Sequence, residues 1–343
     1  SNIKRCFRLE ARIYFPFYAR RDDRKLDEKT VRDLLNKKIL VTGGTGMLGQ
    51  ALRKELPSAI YASSKEADLR DGGQTENLFQ HHNPEIVIHL AGRVGGIKAN
   101  MDNLGEFFYE NIMINSNVLE CCRKYNVQKT LSVLSTCVYP DDATYPLTEE
   151  QIHSGRPHHS NYGYAYAKRM LDVQSRSYRQ QFGCNYITII PNNLFGGDDN
   201  FDLEDSHVIP AMVRKFYEAK RDNKPVTLWG DGTPLREFTY SGDMAKIILF
   251  LLENYNRPQP INVGSTEEHS IKKVADIISD IYDFKGDVVW DTSGPPGQFR
   301  KPSSNKNLTD LGWPQEEYSD LGESLRLVCK WFEENYKVAR GVA

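Results

Sequence analysis

The chain has 343 residues, of which 39% are hydrophobic, and its formal net charge is -2. That length favours two closely joined units over one minimal domain. A net charge so close to zero creates no general field for nucleic acid or an anionic membrane, so we expect neither as a partner. No stretch approaches the roughly 18 consecutive apolar residues that a membrane helix needs.

The six cysteines are scattered and lack the CxxC spacing that is typical of metal sites, so we expect no bound metal. Cys121 and Cys122 are adjacent within a helical pattern, which favours free thiols over a structural disulfide. Free thiols persist in a reducing compartment. We therefore expect a cytoplasmic protein.

Residues 1–36 differ in composition from the rest of the chain. Basic and acidic residues alternate there around an aromatic run at residues 14–18. The segment is too acidic for a transit peptide and lacks the apolar core of a secretory signal. We expect an accessory extension of unknown role that packs on the surface, with a short helix near residues 27–35.

From residue 37 onward, short apolar segments alternate with helical patterns. Strands are predicted at residues 38–41, 59–61, 86–90, 130–134 and 186–190, and helices at 47–56, 107–124 and 164–182. This alternation is typical of a parallel sheet with helices on both faces. We predict an α/β fold with a doubly wound Rossmann domain in residues 37–190, completed by parts of 237–265. Residues 191–343, where Pro and Gly become more frequent, are predicted to form a smaller α+β substrate domain.

A glycine-rich turn, TGGTGMLG at residues 42–49, joins the first predicted strand to the first helix. Gly43 allows the tight turn, Gly46 lets the backbone approach a pyrophosphate, and Gly49 lets the helix pack closely on the strand. The helix that begins at Met47 would supply amide donors and a partial positive charge to the phosphates. This context favours a dinucleotide site over an ordinary turn.

The end of the second predicted strand indicates which dinucleotide is bound. NAD sites usually carry Asp or Glu there, which binds the ribose 2′-hydroxyl. This chain has Ser63, Ser64 and Lys65 instead, and two hydroxyls with a cation suit a 2′-phosphate that a carboxylate would repel. The alternative is a solvent-exposed turn that binds no phosphate, but the pattern favours NADPH as the cofactor. Asp68 and Leu69 follow and are placed to meet the adenine edge.

Tyr164 and Lys168 are four residues apart in a predicted helix, which places both side chains on one face. A tyrosine with the ordinary pKa of about 10 is a poor acid–base group at neutral pH, and a nearby ammonium favours its phenolate. The lysine can also hold the nicotinamide ribose. Tyr162 and Tyr166 compete for the role, but only Tyr164 has a lysine four residues later. Together with the glycine turn, the pair indicates hydride transfer to a carbonyl.

Three further side chains are candidates for the same chemistry. Ser135 ends a predicted strand at the edge where open α/β sheets bind ligands, and its hydroxyl can bind a carbonyl oxygen beside Tyr164. Cys137 lies two residues further on, and His207 begins a helical pattern. By position alone, Cys137 is as well explained as a small buried hydrophobe and His207 as a histidine with a structural partner. Beside a ketone, however, a thiol and an imidazole can move protons on carbon.

Several longer segments carry a more specific pattern. They are AGRVGGIKAN (residues 91–100), STCVYP (135–140), YAYAK (164–168), NLFG (193–196), SHVIPA (206–211) and WGDGTPLREF (229–238). Over residues 37–336 the chain resembles the GDP-L-fucose synthase family of extended short-chain dehydrogenases/reductases. The glycine turn and the Tyr164/Lys168 pair mark only the superfamily, whereas VGGI, the cysteine after Ser-Thr and SHVIPA are more specific.

The resemblance implies conversion of GDP-4-keto-6-deoxy-D-mannose to GDP-L-fucose with NADPH. It assigns reduction to Ser135, Tyr164 and Lys168, and it assigns the epimerisation acid and base to Cys137 and His207 without deciding which is which. The other implied contacts are Ala91, Gly92 and Asn192 for the cofactor, Asn193, Val208, Met212 and Lys215 for the sugar nucleotide, and Trp229, Arg236 and Lys301 for its guanine, ribose and phosphates. The family can carry Arg at position 215, so we expect no bidentate phosphate contact from the lysine found there.

Two other functions remain open at this point. A 4-epimerase or dehydratase of the same fold would retain NAD and recycle it, and both the turn at residues 63–65 and the pair Cys137 and His207 argue against that. A non-catalytic NADP-sensing protein would tolerate the loss of Ser135, Tyr164 or Lys168, yet all three are present.

The two long helical patterns, residues 107–124 and 164–182, carry apolar and aromatic residues over more than one face. These residues are Phe108, Ile112, Ile114, Val118, Met170, Leu171 and Tyr178. The resemblance implies that the two helices pair across a two-fold axis in a homodimer, which is the commonest form of oligomer. The alternative is that the N-terminal extension covers this face.

Overall fold

The structure, a computed structural model, describes residues 36–293 and 299–342. The predicted helix near residues 27–35, with the rest of the extension before residue 36, lies outside the described residues. Within the two described ranges, no helix is both long and apolar enough to cross a membrane.

Strands and helices alternate along the first half of the chain, as the sequence predicts. The strands are β1 (Ile39–Thr42), β2 (Ile60–Ala62), β3 (Ile86–His89), β4 (Lys129–Val133), β5 (Tyr186–Pro191), β6 (Asn193–Phe195), β7 (Val226–Trp229), β8 (Leu235–Tyr240), β9 (Ile261–Val263), β10 (Glu268–Ser270) and β11 (Val288–Asp291). The α-helices are α1 (Met47–Glu55), α2 (Gly72–His82), α3 (Ile97–Asp102), α4 (Leu104–Lys124), α5 (Tyr162–Phe182), α6 (Val208–Asp222), α7 (Ser241–Asn254), α8 (Ile271–Ile281), α9 (Lys306–Leu311) and α10 (Leu321–Asn335). Short 3-10 helices lie at Thr136–Val138, Glu149–Gln151, His159–Asn161 and Gln315–Glu317.

The large sheet has six parallel strands in the order β2-β1-β3-β4-β5-β9. The chain runs outward from β1 to β2 and then returns past β1 to β3. This reversal is the topological switch point, where a crevice for ligands opens at the carboxyl ends of β1 and β3. The predicted doubly wound parallel sheet is confirmed.

Strand side chains divide between two apolar layers because successive residues of a strand point to opposite faces. Ile39 and Val41 pack with α1 and α7 on one face, whereas Leu40 packs with α2 and α4 on the other. Burying a side chain of this size stabilises the fold by roughly 1.5–3 kcal/mol. The end of β1 is therefore held firmly between the layers, and the glycine turn starts from that fixed point.

The residues after β5 build two smaller sheets. In the first, β8 lies between β10, to which it is antiparallel, and β6, to which it is parallel. In the second, β7 and β11 are parallel. Helices α6, α8 and α10 pack around a third apolar cluster that contains Phe216, Ile278 and Phe332. Strand β9 then returns to the edge of the large sheet beside β5.

Candidate active site

The glycine turn lies at the carboxyl end of β1, where it leads into α1. Gly43 has a φ of +68°, and a Cβ on Gly49 would stand 2.7 Å from the carbonyl oxygen of Gly43, so side chains are excluded at both positions. Gly46 is the N-cap residue of α1 and supplies no side-chain cap. The first amides of α1 are therefore open to an anion. The turn fits the pyrophosphate of a dinucleotide.

The three residues predicted to select the cofactor follow β2 directly, and Ser64 and Lys65 are exposed. The carbonyl oxygen of Ser63 accepts the amides of Glu66 (3.0 Å) and Ala67 (3.2 Å), which closes the turn. Within the part of the chain that the structure describes, Lys65 has no ion-pair partner. Its ammonium is thus available to a phosphate.

Asp68 organises the loop beyond this turn. Its carboxylate accepts the Arg70 guanidinium at 2.7 Å and the Arg70 amide at 3.0 Å, and these hydrogen bonds lower its pKa. The carbonyl oxygen of Leu69 accepts the Asn117 side chain at 2.9 Å. Both residues predicted to meet adenine are therefore fixed by internal contacts before any ligand binds.

The reductase residues come together at the carboxyl end of β4. Ser135 follows β4, while Tyr164 lies in the first turn of α5 and Lys168 in the next. The Lys168 ammonium donates to the carbonyl of Val133 at 2.9 Å and lies 5.8 Å from the centre of the Tyr164 ring. Gly92, just after β3, leaves room beside this ammonium, since a Cβ there would be 3.4 Å from Lys168 Nζ. Since no other acceptor for this ammonium is found among the described residues, two of its three hydrogens remain available for a ribose.

Burial is the largest influence on the Tyr164 phenol. It raises the pKa of Tyr164 above its ordinary value, the neighbouring Cys137 adds to the rise, and the Ser135 hydroxyl opposes it. Burial also lowers the pKa of Lys168 to about 8. Burial therefore outweighs the lowering that we expected from Lys168. The phenol keeps its proton near neutral pH, which is the form that a proton donor needs.

Cys137 is half-buried two residues beyond Ser135. The Asn161 side-chain amide donates to its Sγ at 2.9 Å, and Lys301 Nζ donates to the carbonyl of Thr136 at 3.2 Å. Burial lowers the pKa of Lys301, while Cys137 raises it and Arg236 lowers it, so this lysine lies near both. Lys301, predicted among the nucleotide contacts, thus lies near both the thiol and Arg236.

His207 is the N-cap residue of α6, and it is exposed at the protein surface. Enough protein nonetheless surrounds the imidazole that desolvation lowers its pKa, with Asp205 opposing. Neither ring nitrogen has a hydrogen-bond partner among the described residues. Phe107 links the reductase residues to the segment before His207. The centre of its ring lies 6.4 Å from that of the Tyr164 ring, and Gly95 lies against both Phe107 and Asp205.

The residues assigned to the sugar nucleotide line α6 and β7. Val208, Met212 and Lys215 recur about one turn apart on α6. Lys215 donates to the carbonyl of Thr227 in β7 at 2.9 Å, and Trp229 at the end of β7 exposes 70% of its surface. Met212 is only 3% exposed and belongs to the third apolar cluster. It therefore supports this wall, whereas Trp229 is free to stack on a base.

Asn192 and Asn193 are adjacent, but Asn192 is buried and Asn193 is exposed. The Asn192 amide donates to the Ser265 carbonyl at 2.7 Å and accepts the Thr239 hydroxyl at 2.6 Å. Asn193 is exposed and donates to the carbonyl of Glu237 at 2.8 Å. Asn192 thus joins the end of β5 to β8 and to the segment after β9, and Asn193 is the more open of the pair.

The sequence analysis missed three residues that shape the site: Asn161 at the thiol, Phe107 beside the phenol, and Asp205 before the histidine. Asn161 and Asp205 stand three residues before Tyr164 and two before His207, but nothing in their local sequence marks them. Their importance comes from contacts across the fold. Among the described residues, no group of three or more His, Cys, Asp or Glu side chains is arranged to hold a metal.

Known proteins with this arrangement identify its family. Residues 39–264 match the NAD dependent epimerase/dehydratase family. The chain is 43% identical over 311 residues to GDP-L-fucose synthase from Dictyostelium discoideum, covering 88% of this chain and 97% of that protein. The chain belongs to the GDP-L-fucose synthase family. The resemblance predicted from its motifs is confirmed.

Solved structures extend the match within and around this family. A GDP-L-fucose synthetase from Naegleria fowleri bound to NADP is similar with a TM-score of 0.85 and 41% identity, covering 89% of this chain and 95% of that one. A protein with a different name is also similar: GDP-L-colitose synthase from Yersinia pseudotuberculosis is 37% identical, covering 86% of this chain and 97% of that protein. The similarity therefore extends to a protein named for a different GDP sugar.

Proposed function

We propose that this protein converts GDP-4-keto-6-deoxy-D-mannose to GDP-L-fucose by inverting C3 and C5 and then reducing the C4 ketone with NADPH. The observation that carries this proposal is the meeting of Cys137 with Ser135 and Tyr164 at one edge of the sheet, next to the segment that bears His207. A simple reductase needs only the hydroxyl residues and Lys168. The thiol and imidazole add the means to move protons on carbon.

Epimerisation takes place at the carbons that flank the ketone. Removing a proton from C3 or C5 gives an enolate, and Ser135 and Tyr164 stabilise it by donating to the C4 oxygen. Inversion requires a proton taken from one face and another delivered to the opposite face. Cys137 and His207 carry these protons, because a thiol and an imidazole can each both take up and release a proton.

Reduction uses the other residues of the same cleft. When bound, NADPH supplies the hydride that reaches C4. Tyr164 gives its proton to the oxygen, and Lys168, held by the Val133 carbonyl, keeps donors for the nicotinamide ribose. We assign the diphosphate to Arg236 and Lys301, two cations that lie near each other.

We assign the cofactor to residues 37–190 with parts of 237–265, and the nucleotide sugar mainly to residues 191–343. The open first turn of α1 supports the first assignment, and the exposed Trp229 supports the second. We also place the enzyme in the cytoplasm, since Cys121, Cys122 and the other described cysteines are free thiols.

Lys65→Glu should erode the preference for NADPH over NADH. The change removes an unpaired cation from the turn after β2 and adds a charge that repels a 2′-phosphate. We expect the ratio of kcat/KM for the two cofactors to fall by about tenfold, which corresponds to about 1.4 kcal/mol. Lys337→Glu, at an exposed position of the C-terminal segment, is the matched control and should leave the ratio unchanged. Equal kcat/KM values for the wild-type protein would show that the turn does not select NADPH.

We propose a homodimer formed through α4 and α5. Their outer face exposes Phe108 by 42% and Met170 by 37%, which supports an apolar interface. Val118 and Leu171 lie on the other apolar face of these helices, which is buried in the subunit's own core and takes no part in the proposed interface.

Met170→Glu should shift the protein from dimer to monomer, because it places a charge in the interface. Light scattering at micromolar concentration gives the mass directly. The control is Val338→Glu, an apolar side chain that is 75% exposed on the C-terminal segment, and this variant should stay dimeric. A monomer mass for the wild-type protein would end the proposal.

The test of the function is NADPH oxidation with a panel of nucleotide 4-keto sugars. GDP-4-keto-6-deoxy-D-mannose should give the highest kcat/KM, ahead of the GDP-4-keto-3,6-dideoxy sugar that would lead to colitose. A 4-epimerase would turn over substrate without consuming NADPH, and a sensing protein would only bind it. Either result, or a preference for another sugar, would contradict the proposal.

A further inference from the structure

The residues before His207 form a loop that docks on the VGGI segment; we call residues 202–206 the histidine loop. The amide of Gly96 donates to both the carbonyl oxygen (3.2 Å) and the carboxylate (3.0 Å) of Asp205. On the surface, Lys98 of α3 pairs with Glu204 at 3.0 Å. The VGGI segment contributes no group to the chemistry described above, yet it holds the loop that delivers the imidazole.

Glycine is required at position 95 for this docking. A Cβ there would stand 2.8 Å from the Asp205 carboxylate oxygen and 3.0 Å from the ring of Phe107. Phe107 in turn packs against Tyr164. The absence of a side chain at Gly95 therefore lets Asp205 reach Gly96 while Phe107 stays against the phenol.

The histidine loop is also held by hydrogen bonds within itself and by the C-terminal segment. The Asp202 carboxylate accepts the amides of Glu204 and Asp205, both at 2.8 Å. Gly341 approaches from the C-terminal segment so closely that a Cβ there would collide with the Asp202 amide nitrogen. The loop therefore has little freedom of its own, and its contact with Gly96 determines where it sits relative to the sheet edge.

We propose that Asp205 is a positioning residue for His207, anchoring the histidine loop to Gly96 and holding a negative charge beside the imidazole. The proposal rests on the function above, in which His207 moves a proton on carbon. A carboxylate there favours the protonated imidazole and opposes the effect of burial. The imidazole itself has no protein partner among the described residues, so Asp205 acts on it without occupying either ring nitrogen.

Several other charged side chains around the loop are already engaged. Glu204 is paired with Lys98, and Asp202 is taken up by the two loop amides. Arg214, two turns into α6, pairs with Glu218 at 2.8 Å and donates to carbonyl oxygens. The Asp205 carboxylate is thus the charge with the most direct influence on His207.

Two substitutions separate the anchor from the charge. Asp205→Asn keeps the side-chain acceptor for the Gly96 amide but removes the charge, whereas Asp205→Ala removes both and leaves Gly96 only the backbone carbonyl of residue 205. In D2O, the NADP⁺-bound enzyme should exchange deuterium into C3 and C5 of GDP-4-keto-6-deoxy-D-mannose, and Asp205→Ala should slow this exchange by about tenfold or more. Asp205→Asn should recover part of that loss. NADPH formation from NADP⁺ and GDP-L-fucose needs only the reductase residues and should change by less than about twofold. An equal loss in both assays would show general damage and overturn the proposal, as would exchange at the wild-type rate in Asp205→Ala.

A second measurement does not depend on turnover. In histidine-labelled protein, the NMR signal of His207 is the one lost in His207→Gln. Its titration midpoint should move to lower pH in both Asp205 variants, because the charge that favours the protonated form is gone. Glu204→Gln, which changes an exposed carboxylate of the same loop, should leave the midpoint in place. An unmoved midpoint in the Asp205 variants would overturn the proposal even if the enzyme proved to act on another sugar.

Discussion

Tyr164→Phe should abolish most of the reduction while leaving proton exchange on carbon largely intact. The phenol is the group that protonates the C4 oxygen, and burial keeps its proton in place near neutral pH. Loss of a positioned proton donor typically lowers a rate by about 10²–10⁴-fold, so we expect kcat for GDP-L-fucose formation to fall within that range. Exchange at C3 and C5 should fall less, because Ser135 still donates to the enolate oxygen.

The two activities are measured separately. NADPH consumption reports reduction, and incorporation of deuterium from D2O by the NADP⁺-bound enzyme reports enolate formation. Tyr162→Phe is the matched control, since this exposed tyrosine begins the same helix but lacks a lysine four residues later. Reduction at the wild-type rate in Tyr164→Phe would contradict the assignment of the proton donor.

Cys137→Ser and His207→Gln should show the opposite pattern. A hydroxyl or an amide cannot carry a proton to and from carbon near neutral pH, so each variant should lose exchange at one or both carbons by about 10²–10⁴-fold. The side-chain amide of Asn161 can still donate to a serine at position 137, so the replacement preserves the local contact while removing the thiol.

Oxidation of GDP-L-fucose by NADP⁺ provides the internal comparison, because hydride leaves C4 before any proton is removed from C3 or C5. Both variants should form NADPH at rates close to that of the wild-type protein. Cys184→Ser is the control for a thiol change elsewhere, since Cys184 is also free and partly exposed. Full exchange and product formation in both the Cys137 and His207 variants would refute the separation of roles.

The parts of the fold that depend on local pattern could be predicted closely. The glycine turn between β1 and α1, and the helical spacing of Tyr164 and Lys168, are set by residues near one another in the chain. The strand predicted at residues 59–61 is found at Ile60–Ala62, one position later. Short buried strands of a parallel sheet stand out because both faces are apolar.

The parts that depend on distant contacts could not be predicted. Asp205 meets Gly96 across 109 positions and Lys301 meets Thr136 across 165, so no local motif could reveal either contact. Burial also has the largest effect on the pKa of Tyr164, where we had expected the charge of Lys168 to act. The pKa of Tyr164 is raised by desolvation, an effect that depends on how closely the fold encloses the phenol and not on the spacing to Lys168.

The most direct test of the account is one reaction in D2O, with GDP-4-keto-6-deoxy-D-mannose and ordinary NADPH, followed by NMR of the product. If the thiol and imidazole move protons on carbon and the cofactor then delivers hydride, the product is GDP-L-fucose with deuterium at C3 and C5 and protium at C4. A 6-deoxy sugar that keeps the substrate's configuration at C3 and C5, or a product without deuterium at those carbons, would contradict it.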